Sequence, residues 1–484
     1  MKLRQAGAFV MTRQLPDFWA GGATALIFYV EYLGLGALLA DALGPGLVDG
    51  AALGALLIVL PVFLSCMFSA RTRGASLAGP RAASTALTTK LLLAMTLLSP
   101  VLVQQKTAVL ALMTASAGIT VLAGRHRWLQ SRMDRAPRWL VQGFMFATAV
   151  GIISGGASAG RLLDCLLVDS AATWLAYLPA VALGIGWKPW VQALLRRLAS
   201  QHAPQCLQRG CARLQQMGLP AASAISWLIY EQTPLAMPHG PFCGRFGNMR
   251  IESGLLFQRL QENFGQLHQL SLPTVGAAVL GGVLVGLVLL LESLTAFALN
   301  RGNPTYCKAQ PGMLLATAAS GLLSATIGAA ASSFSTSRTV ALRSLGGTGR
   351  TAVVAHGFTL VLIAFVAAPW LGQMPRLTGA VALTLVGVQM MSRDMAHFWR
   401  GAYQPRALYR RRLSGLSFWL VVGVGVAFNN ALVGFLLMAV VCAAGIYLRS
   451  RWGSSNDASS RLSGLRAKKA GPRGDDRGPV ESTK

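Results

Sequence analysis

Residues Ser332–Thr351 read SSFSTSRTVALRSLGGTGRT and lie between two long apolar stretches. The segment is rich in hydroxyls and glycines and holds three arginines, Arg338, Arg343 and Arg350. Ser335, Thr336 and Ser337 lead into Arg338, and the apolar run after it, Val340–Leu342, is far short of the roughly 20 residues that cross a bilayer. The pattern predicts a loop entering a half-length helix inside a membrane protein. Such a helix start suits an anion, because its unsatisfied backbone N–H groups and positive dipole end point the same way. In transporters, broken helices place these ends near the bilayer midplane. The alternative is a cytoplasmic loop between two ordinary helices, and the remainder of the chain weighs against it.

The chain of 484 residues is 53% hydrophobic and only 12% charged, with a mean hydropathy of +0.51. Soluble domains carry about 25% charged residues, so the composition indicates an all-α integral membrane protein. A net charge of +27 would suggest nucleic acid in a soluble chain. Here the basic residues cluster in short loops between apolar spans and in the tail, which is the positive-inside pattern. The charge is therefore assigned to topology and lipid headgroups. Seven scattered cysteines give no disulfide framework. Cys206 and Cys211 with His202 do not complete four metal ligands. No cofactor or metal is expected, and no Ser-His-Asp arrangement suggests an enzyme.

In order, the spans are expected at about 19–42, 51–70, a short one from 80, 107–124, 139–153, 172–187, 219–230, 274–299, 312–328, the short opening segment, 352–371, 377–391, 418–428 and 431–447. Gly79-Pro80 breaks the chain and makes span 3 start late, since Pro fits the first turn of a helix. The polar stretch 234–272 includes LLFQRLQENFGQLHQL, whose apolar spacing predicts an amphipathic helix at the membrane surface. Residues 449–484 read as a disordered basic tail. With fourteen spans, the main basic loops and both termini share one side, the cytoplasm.

Divided into two halves of seven, the chain pairs span 3 with span 10 and span 1 with span 8. Both short spans are interrupted by Gly or Pro, and such a matched pair points to a transporter binding site. Spans 1 and 8 each carry a mid-span carboxylate, Glu31 and Glu292. An acid at the bilayer centre costs about 2.5 kcal/mol or more on insertion scales and is a functional candidate.

These motifs resemble the SulP sulfate permeases and the mammalian anion exchangers that include prestin. The resemblance covers about residues 15–449. LPDFWAGGATALI (Leu15–Ile27) is similar to the family's opening of span 1, and AGPRAAST (Ala78–Thr85) to its Gly-Pro start of span 3. LLLESLTAFALNRG (Leu289–Gly302) resembles its span 8 signature, and FNNALVGFLL (Phe428–Leu437) its span 13–14 turn. Ser337-Arg338 and Gly347–Thr351 fall in family register. The resemblance implies a 7+7 inverted repeat with a core domain (spans 1–4 and 8–11) and a gate domain (spans 5–7 and 12–14), within residues 19–448 after a short cytoplasmic segment 1–18. It implies an anion between the facing starts of half-helices 3 and 10. The substrate-contacting candidates are then Ser335, Ser337, Arg338 and Thr339 on one side and Ala82, Ala83 and Ser84 on the other. Glu31 falls where some proton-coupled members have Glu, which favours proton coupling. Glu292 is read as a second coupling candidate or a helix-tying acceptor. Four features depart from the family: no STAS domain is expected after span 14, Arg81 and Lys90 are unusual in span 3, and the 234–272 segment is longer and more polar. Arg81 is read as adding charge to the pocket or facing the cytoplasm, and Lys90 as pairing Glu31 or Glu292 or snorkelling. For Arg338 the alternative to an anion partner is an internally paired arginine.

The expectation is a secondary active, proton-coupled, alternating-access carrier of sulfate-like anions, bicarbonate or dicarboxylates in a bacterial inner membrane. A homodimer, membrane lipids, protons and a separate STAS-type protein are the candidate partners. The rival readings are a non-transporting sensor or scaffold and a nucleobase-type carrier of the same architecture.

Overall fold

The structure is a computed structural model that describes residues 2–44, 50–71, 76–126, 138–153, 170–200, 213–232, 253–298, 304–390 and 409–427, with a few isolated positions such as Arg245, Phe246 and Ile251. Span 14, the tail, Asn429-Asn430, His202, Cys206, Cys211 and most of the loop Arg393–Arg412 lie outside the described residues.

Helices dominate. The first half contains α1 (Lys2–Leu43), α2 (Gly50–Ser69), α3 (Ala82–Leu98), α4 (Lys106–Ala123), α5 (Arg138–Ile153), α6 (Ser170–Ser200) and α7 (Gly218–Gln232). Then come α8 (Ser253–Leu267), α9 (Leu272–Ala298), α10 (Pro304–Ala325), α11 (Thr336–Ser344), α12 (Arg350–Leu362), α13 (Arg376–Met390) and α14 (Tyr409–Ala427). A described helix coincides with each of spans 1–13, and α8 is the amphipathic helix expected within 234–272. Among the described residues, five segments are long and apolar enough to cross a bilayer: 14–43, 52–69, 106–123, 272–293 and 350–371. The sequence reading ended span 6 near Trp187, but α6 continues to Ser200. Strong helix formers, VQALLRRLA, follow Pro189 and carry the helix through the charges. Likewise α1 begins at Lys2, before the expected start of span 1.

The helices pack in two groups. One joins α1, α2, α3, α4, α9, α10, α11 and α12, and the other joins α5, α6, α7, α13 and α14. They meet where α1 touches α7 and α13 and where α3 touches α5. In lipid there is no hydrophobic drive between helices, so small residues that admit close backbones carry the packing. The α1–α2 crossing shows this: a Cβ on Gly36 would stand 2.5 Å from the Gly54 carbonyl oxygen, and one on Gly54 the same distance from that of Gly36.

An interior proline helps to build the broken segments. Pro61 in α2 lacks the N–H that would bond the Leu57 carbonyl. That carbonyl instead accepts a 3.2 Å hydrogen bond from the Ala330 amide, in the unwound chain after α10. Non-helical backbone at membrane depth persists only where protein satisfies it. Here Ser320 of α10 also donates to the Pro61 carbonyl at 3.1 Å. The unwound chain then forms β2 (Ser333–Phe334), antiparallel to β1 (Ala78–Gly79) between α2 and α3. Ala78 pairs with Phe334 and Gly79 with Ser333.

Candidate functional site

The two-stranded pairing brings the starts of α3 and α11 together. Further bonds fix the junction: Ser335 N–H donates to the Leu77 carbonyl at 2.9 Å, and Leu77 N–H donates to Thr339 Oγ1 at 3.0 Å. Ser335 is the N-cap of α11, where its Oγ accepts from the Arg338 amide at 3.3 Å. Such a hydroxyl cap satisfies one of the orphan donors of a helix start. Arg81 is the N-cap residue of α3, in extended conformation and with no side-chain cap. Its guanidinium reaches the other helix, where Nη1 donates to Ser335 Oγ. Arg81 is half-buried, and among the described residues no carboxylate forms a salt bridge with it. It therefore brings a cation to the place where two helix starts converge.

Arg338 points elsewhere. Its side chain is fully buried, and Nη2 meets Glu31 Oε1 of α1 at 2.6 Å and the Pro80 carbonyl at 2.9 Å. The guanidinium carbon lies 4.3 Å from the ring centroid of Tyr32. Among the described residues, Nε and Nη1 have no hydrogen-bond partner. The internally paired arginine is thus the arrangement present, with Glu31 as its ion-pair partner. The guanidinium can lie against β1 only because Gly79 lacks a side chain: a Cβ there would stand 3.0 Å from Arg338 Nη1 and 2.9 Å from Val62.

Glu292 of α9 serves the same segment from the other side. Its Oε2 accepts from Ser333 Oγ of β2 at 2.7 Å, and the neighbouring Ser293 Oγ accepts from the Phe334 amide at 3.4 Å. Its Oε1 has no hydrogen-bond partner among the described residues. Buried hydroxyls without partners gather on the same elements: Thr85 and Thr89 on α3, and Ser332 just before β2.

The remaining candidates divide. Ala82, Ala83 and Ser84 are buried in the first turn of α3, and Ser84 Oγ donates back to the Arg81 carbonyl at 3.2 Å. Ser337 is exposed, 3.2 Å from Ser335 Oγ. Thr339 is buried and its hydroxyl holds Leu77. Sequence reasoning missed Tyr32, Ser333 and the Pro80 carbonyl, whose roles depend on tertiary neighbours that no spacing reveals. The LPDFW and GGTGRT motifs also meet, with the Thr348 amide donating to Asp17 Oδ1 at 2.8 Å.

By sequence the chain matches no protein-family model and no curated protein. By fold it matches solved transporters. The transmembrane domain of a cyanobacterium bicarbonate transporter, BicA, aligns with a TM-score of 0.57 and 16% identity, over 87% of this chain and 97% of that one. The overall structure of SLC26A9 aligns with a TM-score of 0.56 and 12% identity, over 91% of this chain and 66% of that one. Murine SLC26A9, an anion transporter in the inward-facing state, gives 0.56 and 13%, over 90% and 68%. The chain has the membrane-domain fold of these proteins, which are transporters and not enzymes, and it spans about two thirds of the SLC26A9 chains.

Proposed function

We propose that this chain is a SulP/SLC26-type anion transporter that carries a small anion by alternating access. One observation carries the reading: two helix starts converge on a half-buried arginine, Arg81, that no carboxylate pairs among the described residues. Free first-turn amides of α3 and α11, the hydroxyls of Ser335 and Ser337 and the Arg81 guanidinium form the anion cradle. Arg338 supports it from behind: paired with Glu31, it adds little net charge and fixes the geometry. Thr339 holds the strand pair together. The packing group that contains α3 and α11 acts as the core and moves against the gate group formed by α5–α7, α13 and α14. Fourteen spans in a 7+7 repeat, a homodimer and an inner-membrane location with both termini cytoplasmic complete the proposal.

Proton coupling is part of it. Glu292 offers a carboxylate oxygen with no hydrogen-bond partner among the described residues, so it can receive a proton without breaking an ion pair seen there, whereas Glu31 is paired with Arg338. Both carboxylates report to β2 or α11, so protonation at either is felt at the anion site. The substrate class is a small oxyanion: sulfate, bicarbonate or a dicarboxylate. The test is uptake of labelled sulfate, bicarbonate and fumarate into proteoliposomes, with and without an inward proton gradient. Gradient-stimulated uptake of one of them supports the reading. Absence of uptake of all three by folded protein favours the sensor or scaffold.

A further inference from the structure

A second cluster of buried polar groups lies away from the inter-helix junction, where α8 crosses the start of α4. Arg259 of α8 is only 7% exposed. Its Nη1 donates to Thr107 Oγ1 at 3.1 Å and to Glu262 Oε2 at 2.8 Å. Its Nε and Nη2 have no partner among the described residues. These two N–H groups form one edge of the guanidinium, the side-on fork that matches two oxygens of an oxyanion or carboxylate. Leaving buried donors of a charged group unmet is costly.

The start of α4 favours a negative ligand, while Asn263 Oδ1 and Gln266 Oε1 of α8 are buried acceptors without partners among the described residues. The first turn of α4 has no side-chain cap and no acidic residue, so its first amides are open and its positive dipole end faces the cluster. Lys106, in that turn, donates to the Ala42 carbonyl at 2.9 Å. Asn263, 1% exposed, donates from Nδ2 to the Thr326 carbonyl at 2.7 Å. Gly328 follows with φ of +63°, and a Cβ there would stand 3.0 Å from the Thr107 carbonyl oxygen. The cluster thus joins α4, α8 and the turn after α10. Glu262, which pairs with Arg259, has a side chain 33% exposed.

We propose that this cluster binds a small oxyanion, held side-on by Arg259 Nε and Nη2 and by the open amides of α4. The bound anion cross-links α8 to the core group and is distinct from the transported one. The experiment follows the thermal unfolding midpoint of purified protein against sulfate concentration at constant ionic strength. Wild type shows a saturable rise; Arg81→Ala, with the transport site weakened, keeps a saturable part, and the double variant Arg81→Ala/Arg259→Gln loses it. In the same Arg81→Ala background, Arg259→Lys, which keeps the charge without the fork, saturates at about tenfold or more higher sulfate. The same sulfate dependence in Arg81→Ala and the double variant overturns the proposal. A structure of wild-type protein in selenate needs no variant: anomalous density within hydrogen-bond distance of Arg259 Nε and Nη2 supports the site, and water or empty density there overturns it.

Discussion

Arg338 of α11 and Glu31 of α1 form a 2.6 Å ion pair, with side-chain exposures of 0% and 5%. The pair ties the half-helix to the first span and keeps a buried charge compensated. Removing one member of such a pair leaves the other unpaired in a low-dielectric site, at about 3–5 kcal/mol. Glu31→Gln and Arg338→Gln are each expected to destabilise by about that amount, while the double variant costs less than the sum. Thermal unfolding of the four proteins in detergent reads the cycle. Additive losses would show that the pair carries no coupling.

Gly79 gives a steric test. A methyl group there meets Arg338 Nη1 and Val62, and overpacking a dense site costs about 1–3 kcal/mol. Gly79→Ala is expected to lower the unfolding midpoint and to slow uptake, because the guanidinium must move from Glu31. An unchanged midpoint and rate would mean that the strand shifts freely.

Glu292 separates coupling from binding. Glu292→Gln keeps a polar group for Ser333 but cannot exchange a proton. Stimulation of uptake by an inward proton gradient should vanish, while exchange of anion for anion without a gradient stays within about threefold of wild type. Full stimulation in this variant would remove Glu292 from the coupling step.

The architecture was legible because its signals are local. Apolar runs gave the helices, Gly79-Pro80 and the hydroxyl-rich 332–337 stretch gave the two breaks, and LLFQRLQENFGQL gave α8. The partners were not legible, because they join residues far apart in the chain. Arg338 follows a serine cap, which suggests a role at the helix start, yet its guanidinium folds back to Glu31, 307 positions away. Arg81 carries no local sign of reaching Ser335, since only the β1–β2 pairing sets that approach. The extent of α6 was missed because charged residues with high helix propensity look like a loop when hydropathy alone is read.

The central claim is that Arg81, rather than Arg338, supplies the positive charge at the anion site. Losing a charge-assisted hydrogen bond costs about 1.5–3 kcal/mol, or about 10- to 150-fold in affinity. The direct measurement is the concentration dependence of labelled-anion uptake into proteoliposomes by wild type, Arg81→Ala and Arg81→Lys, with the unfolding midpoint as a control. The account predicts a rise of that size in the half-saturating concentration for Arg81→Ala, partial recovery in Arg81→Lys and an unchanged midpoint. Wild-type half-saturation in a folded Arg81→Ala protein would contradict it.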